Sequence, residues 1–186
     1  MIGFAITGSY CTISKSLSII KELISSGYDI LPIMSENAFS TDTRFGQSLE
    51  IQKQIIDLAK RPIVHTIVGA EPLGPKTKLD AMIICPCTGN TLAKLANGIT
   101  DTAVCMAAKA HLRNNNPLII ALASNDALSA NLKNIGTLMC RKNVFFVPMR
   151  QDDPSNKPNS LVADFDLIVN TLNYALEGKQ YPIIFK

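Results

Sequence analysis

The chain has 186 residues, 47% of them hydrophobic and 18% charged, with a net charge of +3. That length suits one domain with a sizeable core, and that balance excludes a disordered chain. The lysines and arginines gather into no run, which argues against a nucleic-acid partner, and no apolar run approaches the roughly 20 residues of a membrane span.

Short runs rich in Ile, Val and Leu recur at 2–7, 28–33, 63–68, 81–85, 117–122 and 144–147. They are continuous rather than alternating, as expected of strands buried on both faces of a parallel sheet. Helix-length segments separate most of them. In 12–26, Ile13, Leu17, Ile20 and Ile24 form one apolar stripe and Gly27 stops the helix. The segments 46–60, 89–97, 101–114 and 127–135 read similarly, and a last helix covers 164–177. Between the sixth strand and that helix, "RQDDPSNKPNS" (150–160) reads as an exposed loop or arm. The expected architecture is α/β: a three-layer, Rossmann-like or flavodoxin-like fold with a six-stranded parallel sheet in a single domain over 1–186. Ligands of such folds sit at the carboxyl ends of the strands.

Those strand ends carry polar loops. "TGSYCTISKS" follows the first strand with Thr7, Gly8, Ser9, Thr12 and Ser14. Backbone N–H groups and hydroxyls at such a turn suit a monophosphate, although Ser9 or Thr12 serves equally as a helix cap. Neither G-x-G-x-x-G nor G-x-x-x-x-G-K-[ST] is present. Ser35 and Asn37 follow the second strand, and "PCTGNTLAKLANGITDT" follows the fourth with Thr88, Gly89, Asn90 and Thr91. Thr88 and Asp101 are also candidate N-caps. "ALASNDAL" ends the fifth with Ser124, Asn125 and Asp126. Together these loops describe a cleft of uncharged hydrogen-bonding groups suited to a flat heterocycle with one phosphate.

The five cysteines (Cys11, Cys85, Cys87, Cys105 and Cys140) are odd in number, and no basic leader opens the chain, so a reducing cytoplasm is expected. Cys85-Pro86-Cys87 is C-x-C without a nearby histidine, so no metal is expected. Cys87 reads as a buried packing thiol, and His111 as a structural or surface histidine at a helix end.

"PCTGNTLAKLANGITD" closely resembles the P-A-S-A-N-T motif and following helix of the flavin-binding cysteine decarboxylases. More narrowly, "AEPLGPK", "PCTGNTLAKLANGITDTAV", "MAAKAHLRNNNPLIIALASNDAL" and "FFVPMRQDDPSNKPNSL" resemble the dipicolinate synthase B-subunit family of endospore-forming bacteria. The resemblance implies FMN as cofactor, its phosphate and ribityl chain held around Gly8, Ser9 and Ser35, with Thr88, Gly89, Asn90 and Thr91 along the flavin. It implies an A subunit with an NADP-binding domain, oxidation of dihydrodipicolinate to dipicolinate in the mother cell of a sporulating bacterium, and a homo-oligomer, a trimer or a multiple of one. Where the cysteine decarboxylases carry a histidine, this chain has Pro72, and of their P-x-M-N motif only Asn125 maps. Two other functions stay open: an FMN-dependent decarboxylase acting alone, and an accessory subunit with an empty flavin cleft. A dicarboxylate substrate calls for cations, for which Lys109 and Arg113, at i and i+4 of one helix, are candidates. Asn125, Asp126 and Asp101 are the candidates for a catalytic role. The 150–160 arm is expected to cover a neighbouring subunit's cleft.

Overall fold

A computed structural model describes residues 1–186. Five strands run parallel: β1 (Ile2–Ile6), β2 (Ile30–Met34), β3 (Ala81–Cys87), β4 (Leu118–Ser124) and β5 (Val144–Phe146). Their order is β2-β1-β3-β4-β5. Two short strands, β6 (Met149–Arg150) and β7 (Leu161–Ala163), form an antiparallel hairpin, and β7 pairs with the end of β4. β4 therefore divides one edge, its first half bonding β5 and its last residues β7. The sheet thus has seven strands rather than six, and they are mostly rather than wholly parallel.

The missing parallel strand is the 63–68 run. Only Val64 bridges, to Ile33, because Thr66 accepts a bond from the N–H of Gly69 and turns the chain into a short helix, α4 (Ile67–Ala70). The other helices are α1 (Ile13–Ser25), α2 (Glu36–Ser40), α3 (Ser48–Ala59), α5 (Gly89–Ala96), α6 (Ala103–Leu112), α7 (Leu132–Met139) and α8 (Ile168–Leu176). A 3-10 turn, Tyr10–Thr12, leads into α1.

Every residue of β1 to β5 is buried, so alternate side chains feed two cores. Ile83 and Cys85 join Ile20, Leu23, Ile55 and Leu172 beneath α1, α3 and α8. Met82 and Ile84 join Leu92, Val104 and Ile135 beneath α5, α6 and α7. The buried stripe of α1 is Ile13, Ser16, Ile19, Ile20 and Leu23. Leu17 and Ile24 flank it, because small Ser16 faces the sheet, its Oγ 3.5 Å from Cys85 Sγ.

The chain leaves β1 toward β2 on one side and then returns to β3 on the other. That reversal opens a crevice beyond the ends of β1 and β3, the place where such sheets bind ligands.

Candidate active site

At the reversal Thr7 clips the two loops together. Its buried Oγ1 donates to Pro86 O at 2.7 Å and accepts from Thr88 N–H at 3.0 Å. Thr88 is thereby placed to cap α5: its Oγ1 accepts from Thr91 N–H at 3.3 Å and donates to Thr91 Oγ1 at 3.1 Å. On the other wall Ser35 caps α2 through Ala38 N–H at 3.4 Å, and Ser35 N–H bonds Ile6 O.

Beyond these loops lies a cleft of about 760 Å³ bordered by Gly8, Ser9, Tyr10, Thr88, Gly89 and Asn90 and closed on the far side by Ala123 to Asp126. A smaller lobe of about 330 Å³ adjoins it, sharing Gly8, Tyr10, Thr88 and Asn90 and adding Ser35, Asn37, Thr91 and Lys94. Tyr10 marks the division, its hydroxyl donating to Asn37 O at 3.1 Å. The larger lobe is of the size usual for small-molecule sites, about 300–1,000 Å³.

The structure brings Gly8, Ser9, Ser35, Thr88, Gly89, Asn90, Thr91, Asn125 and Asp126 around these two lobes. Several of their donors are free to serve a ligand. Gly8 N–H and Asn125 N–H find no acceptor in the chain, and the exposed Asn90 amide makes no hydrogen bond within it. The Ser35 hydroxyl only accepts, as does that of Ser9, which receives Thr12 Oγ1, so both retain a proton to donate. Gly89 has a reason of its own to be glycine: a Cβ there would stand 2.5 Å from Ser124 Oγ and 2.6 Å from Asn131 Nδ2.

Asp126 is the hub of that contact. It accepts from Ser124 Oγ and, at 2.9 Å, from Asn131 Nδ2, while Asn134 Nδ2 bonds Asn131 Oδ1 at 2.8 Å. The Ser124 hydroxyl, with Asn131, holds the Asp126 carboxyl below the usual carboxylate range. The group is therefore ionised, a weak base, and a clamp on the loop. The clamp also delays α7: residues 127–131 form turns closed on Asp126 O, so the helix begins at Leu132 rather than 127.

Asp101 is not a cap. Thr102 caps α6 through Cys105 N–H, and Asp101 pairs with Lys94 at 2.8 Å, which lowers its pKa. Lys109 and Arg113 lie toward the far end of α6 and border neither lobe. Lys109 lines a separate small cavity with Arg141. The helix runs away from the strand ends, so ten residues carry it about 15 Å from them. The 150–160 arm lines the cleft of its own chain through Asp152 and Lys157, tied down by Leu128 N–H to Asn159 O at 2.9 Å.

Neither histidine reaches the cleft. His65 stacks on Phe39 with centroids 3.8 Å apart. His111 is fully buried, and its Nε2 is 2.9 Å from Pro117 O. A carbonyl only accepts, so Nε2 carries the proton and Nδ1 is the bare nitrogen, without a partner. Burial lowers the His111 pKa below 6.5. The unfolded chain then binds the extra proton first, so this contribution to stability is complete above about pH 6.5 and falls as pH drops below it. His111→Gln keeps a donor for Pro117 O and is expected to flatten the fall in urea midpoint between about pH 7 and 5. An equally steep fall in the variant would assign it to other groups.

Burial pushes the Cys85 thiol up to about 12 and that of Cys87 well up, so neither is a thiolate nucleophile at neutral pH. No cluster of three His, Cys, Asp or Glu is arranged to hold a metal ion, and no helix is long and apolar enough to cross a membrane.

Sequence reasoning missed Tyr10, Lys15, Arg44, Phe45, Lys94 and Lys157, which all border the lobes. Lys94 was within reach, since i+4 from Asn90 places it on the same face of α5. Arg44 and Phe45 were not, because their loop joins two helices and no strand end points to it.

The switch-point cleft of this fold is furnished with free N–H and hydroxyl donors, and a sequence model of the family described as Flavoprotein matches residues 1–173. The chain belongs to that family. It is 49% identical over 184 residues to the B subunit of dipicolinate synthase from Bacillus subtilis, covering 98% of this chain and 92% of that protein. The crystal structure of the B subunit of dipicolinate synthase from Bacillus halodurans superposes with a TM-score of 0.92 at 44% identity, covering 100% of this chain and 95% of that one. The FMN-dependent cysteine decarboxylase SpaF shares the fold, with a TM-score of 0.71 at 20% identity over 95% of this chain and 94% of its own.

Proposed function

We propose that this chain is the FMN-binding subunit of a two-subunit oxidoreductase that forms dipicolinate from dihydrodipicolinate, with an A subunit that binds NADP. The observation that carries the reading is the near full-length relationship to the B subunit of dipicolinate synthase. The FMN assignment draws support from the family and from the donor set. Gly8 N–H and the free hydroxyl protons of Ser9 and Ser35 suit a phosphate and ribityl chain. Thr88, Gly89, Asn90 and Thr91 form a wall along which a flat ring would lie.

A bound flavin supplies a two-electron acceptor. The residues of this chain position and shield. Thr7 locks the wall, Asp126 locks the opposite loop, and the Asn90 amide offers both a donor and an acceptor to a ring edge. Oxidation removes a hydride and a proton from the substrate, and the gain of aromaticity in the product drives the loss. With both histidines outside the cleft and Asp126 held ionised, positioning rather than acid-base catalysis is the contribution of this subunit. Assembly into homo-oligomers, trimers or their multiples, is part of the reading. Leu49 and Ile56 on α3 are exposed and provide apolar surface for it, and a structural relative is described as dodecameric.

Decarboxylation by the chain alone is disfavoured, because Pro72 stands where the cysteine decarboxylases carry a histidine and borders neither lobe. The test is reconstitution. Dipicolinate formation, followed by its ultraviolet absorbance, is expected only when this chain, the A subunit and NADP are combined. Carbon dioxide release by this chain alone would count against it.

A further inference from the structure

The cleft holds four cations, and two are already neutralised. Lys94 pairs with Asp101 at 2.8 Å and Lys157 with Asp152 at 3.2 Å. Arg44 and Lys15 join no ion pair. Lys15 stands on the first turn of α1 with its Nζ 5.8 Å from the Phe165 ring.

Arg44 is presented by a purpose-shaped element. Thr43 and Gly46 exchange backbone hydrogen bonds at 3.1 Å in both directions, which closes a two-residue hairpin with Arg44 and Phe45 at its tip. Asp42 pins its base to the start of α3, accepting from Ser48 N–H at 2.8 Å and from Ser48 Oγ at 2.9 Å. Phe45 is 52% exposed and belongs to neither core, so the hairpin spends an aromatic ring on the rim of the cleft. The Arg44 guanidinium lies 4.8 Å from that ring's centroid. A planar fork over one face of a half-exposed aromatic ring, on a braced turn, matches a flat ring that bears a carboxylate.

We infer that Arg44 anchors one carboxylate of a heteroaromatic dicarboxylate whose ring packs on Phe45, and that Lys15 across the cleft takes the second. This assignment rests on the proposed function and moves the dianion site from the remote Lys109 and Arg113 to the 41–47 hairpin.

The test is calorimetric titration of the full FMN-saturated chain with pyridine-2,6-dicarboxylate and, for comparison, pyridine-2-carboxylate. Arg44→Gln is expected to weaken the dicarboxylate by about 10- to 100-fold and to erase its advantage over the monocarboxylate, with FMN affinity unchanged. Arg44→Lys should recover only part, and Lys109→Gln should bind as the unaltered chain does. Equal binding by Arg44→Gln and the unaltered chain would overturn the assignment and leave the functional reading standing. Loss of FMN with the dicarboxylate retained would give Arg44 to the cofactor phosphate and overturn it too. An unaltered chain that takes up FMN but no dicarboxylate would sink both this inference and the substrate on which it rests.

Discussion

Asn90→Trp is expected to weaken FMN binding by at least about 100-fold, equivalent to roughly 2.8 kcal/mol, while the melting temperature moves by no more than about 2 °C. The two halves of this result come from separate facts. The side chain of Asn90 is exposed on the first turn of α5 and bonds nothing in the chain, so folding loses little when it changes. It also borders both lobes, so an indole there fills the space that a flat ring would occupy. Fluorescence titration beside a thermal melt checks both halves. The same variant separates the surviving functions. An accessory subunit that only activates its partner would keep full joint activity with this cleft blocked, whereas a flavin-dependent subunit would lose it.

Thr7→Val is expected to show a different signature, in which stability and flavin affinity fall together. Valine matches threonine in shape, so the cost is one of hydrogen bonding rather than of packing. Thr88 N–H loses the acceptor it has in Thr7 Oγ1, while Pro86 O still receives Thr7 N–H at 3.3 Å. One orphaned, part-buried donor costs up to about 1–3 kcal/mol, which for a chain of this length lowers the melting temperature by up to roughly 2–12 °C. Because Thr88 also caps α5, the wall of the cleft loosens and flavin affinity falls with stability. A variant that melts normally and binds normally would show that this clip is dispensable.

The sequence made the parallel core legible because fully buried strands are written as unbroken apolar runs, and β1 to β5 all obey that rule. The run at 63–68 reads much the same and is not a strand, since Thr66 captures Gly69 N–H and no residue of the run is fully buried. Strands β6 and β7 are too short, at two and three residues, to write any pattern, and pairing with the end of β4 is what makes them strands. The strand-end loops were legible for the same topological reason that makes them a cleft. Lys109 and Arg113 were chosen on helical spacing, which says that two side chains share a face but not toward which end of the sheet the helix carries them. The 41–47 hairpin is fixed by Asp42, Ser48 and a bridge between Thr43 and Gly46, contacts that no periodicity announces.

The central claim is that the crevice between β1 and β3 holds a flavin, and a titration of the full chain with FMN, followed by flavin fluorescence and visible absorbance, tests it most directly. Saturable binding with a perturbed flavin spectrum is the result expected of the donors around Gly8, Ser35 and Asn90. Fluorescence and absorbance that stay those of free FMN at high micromolar concentration would contradict it.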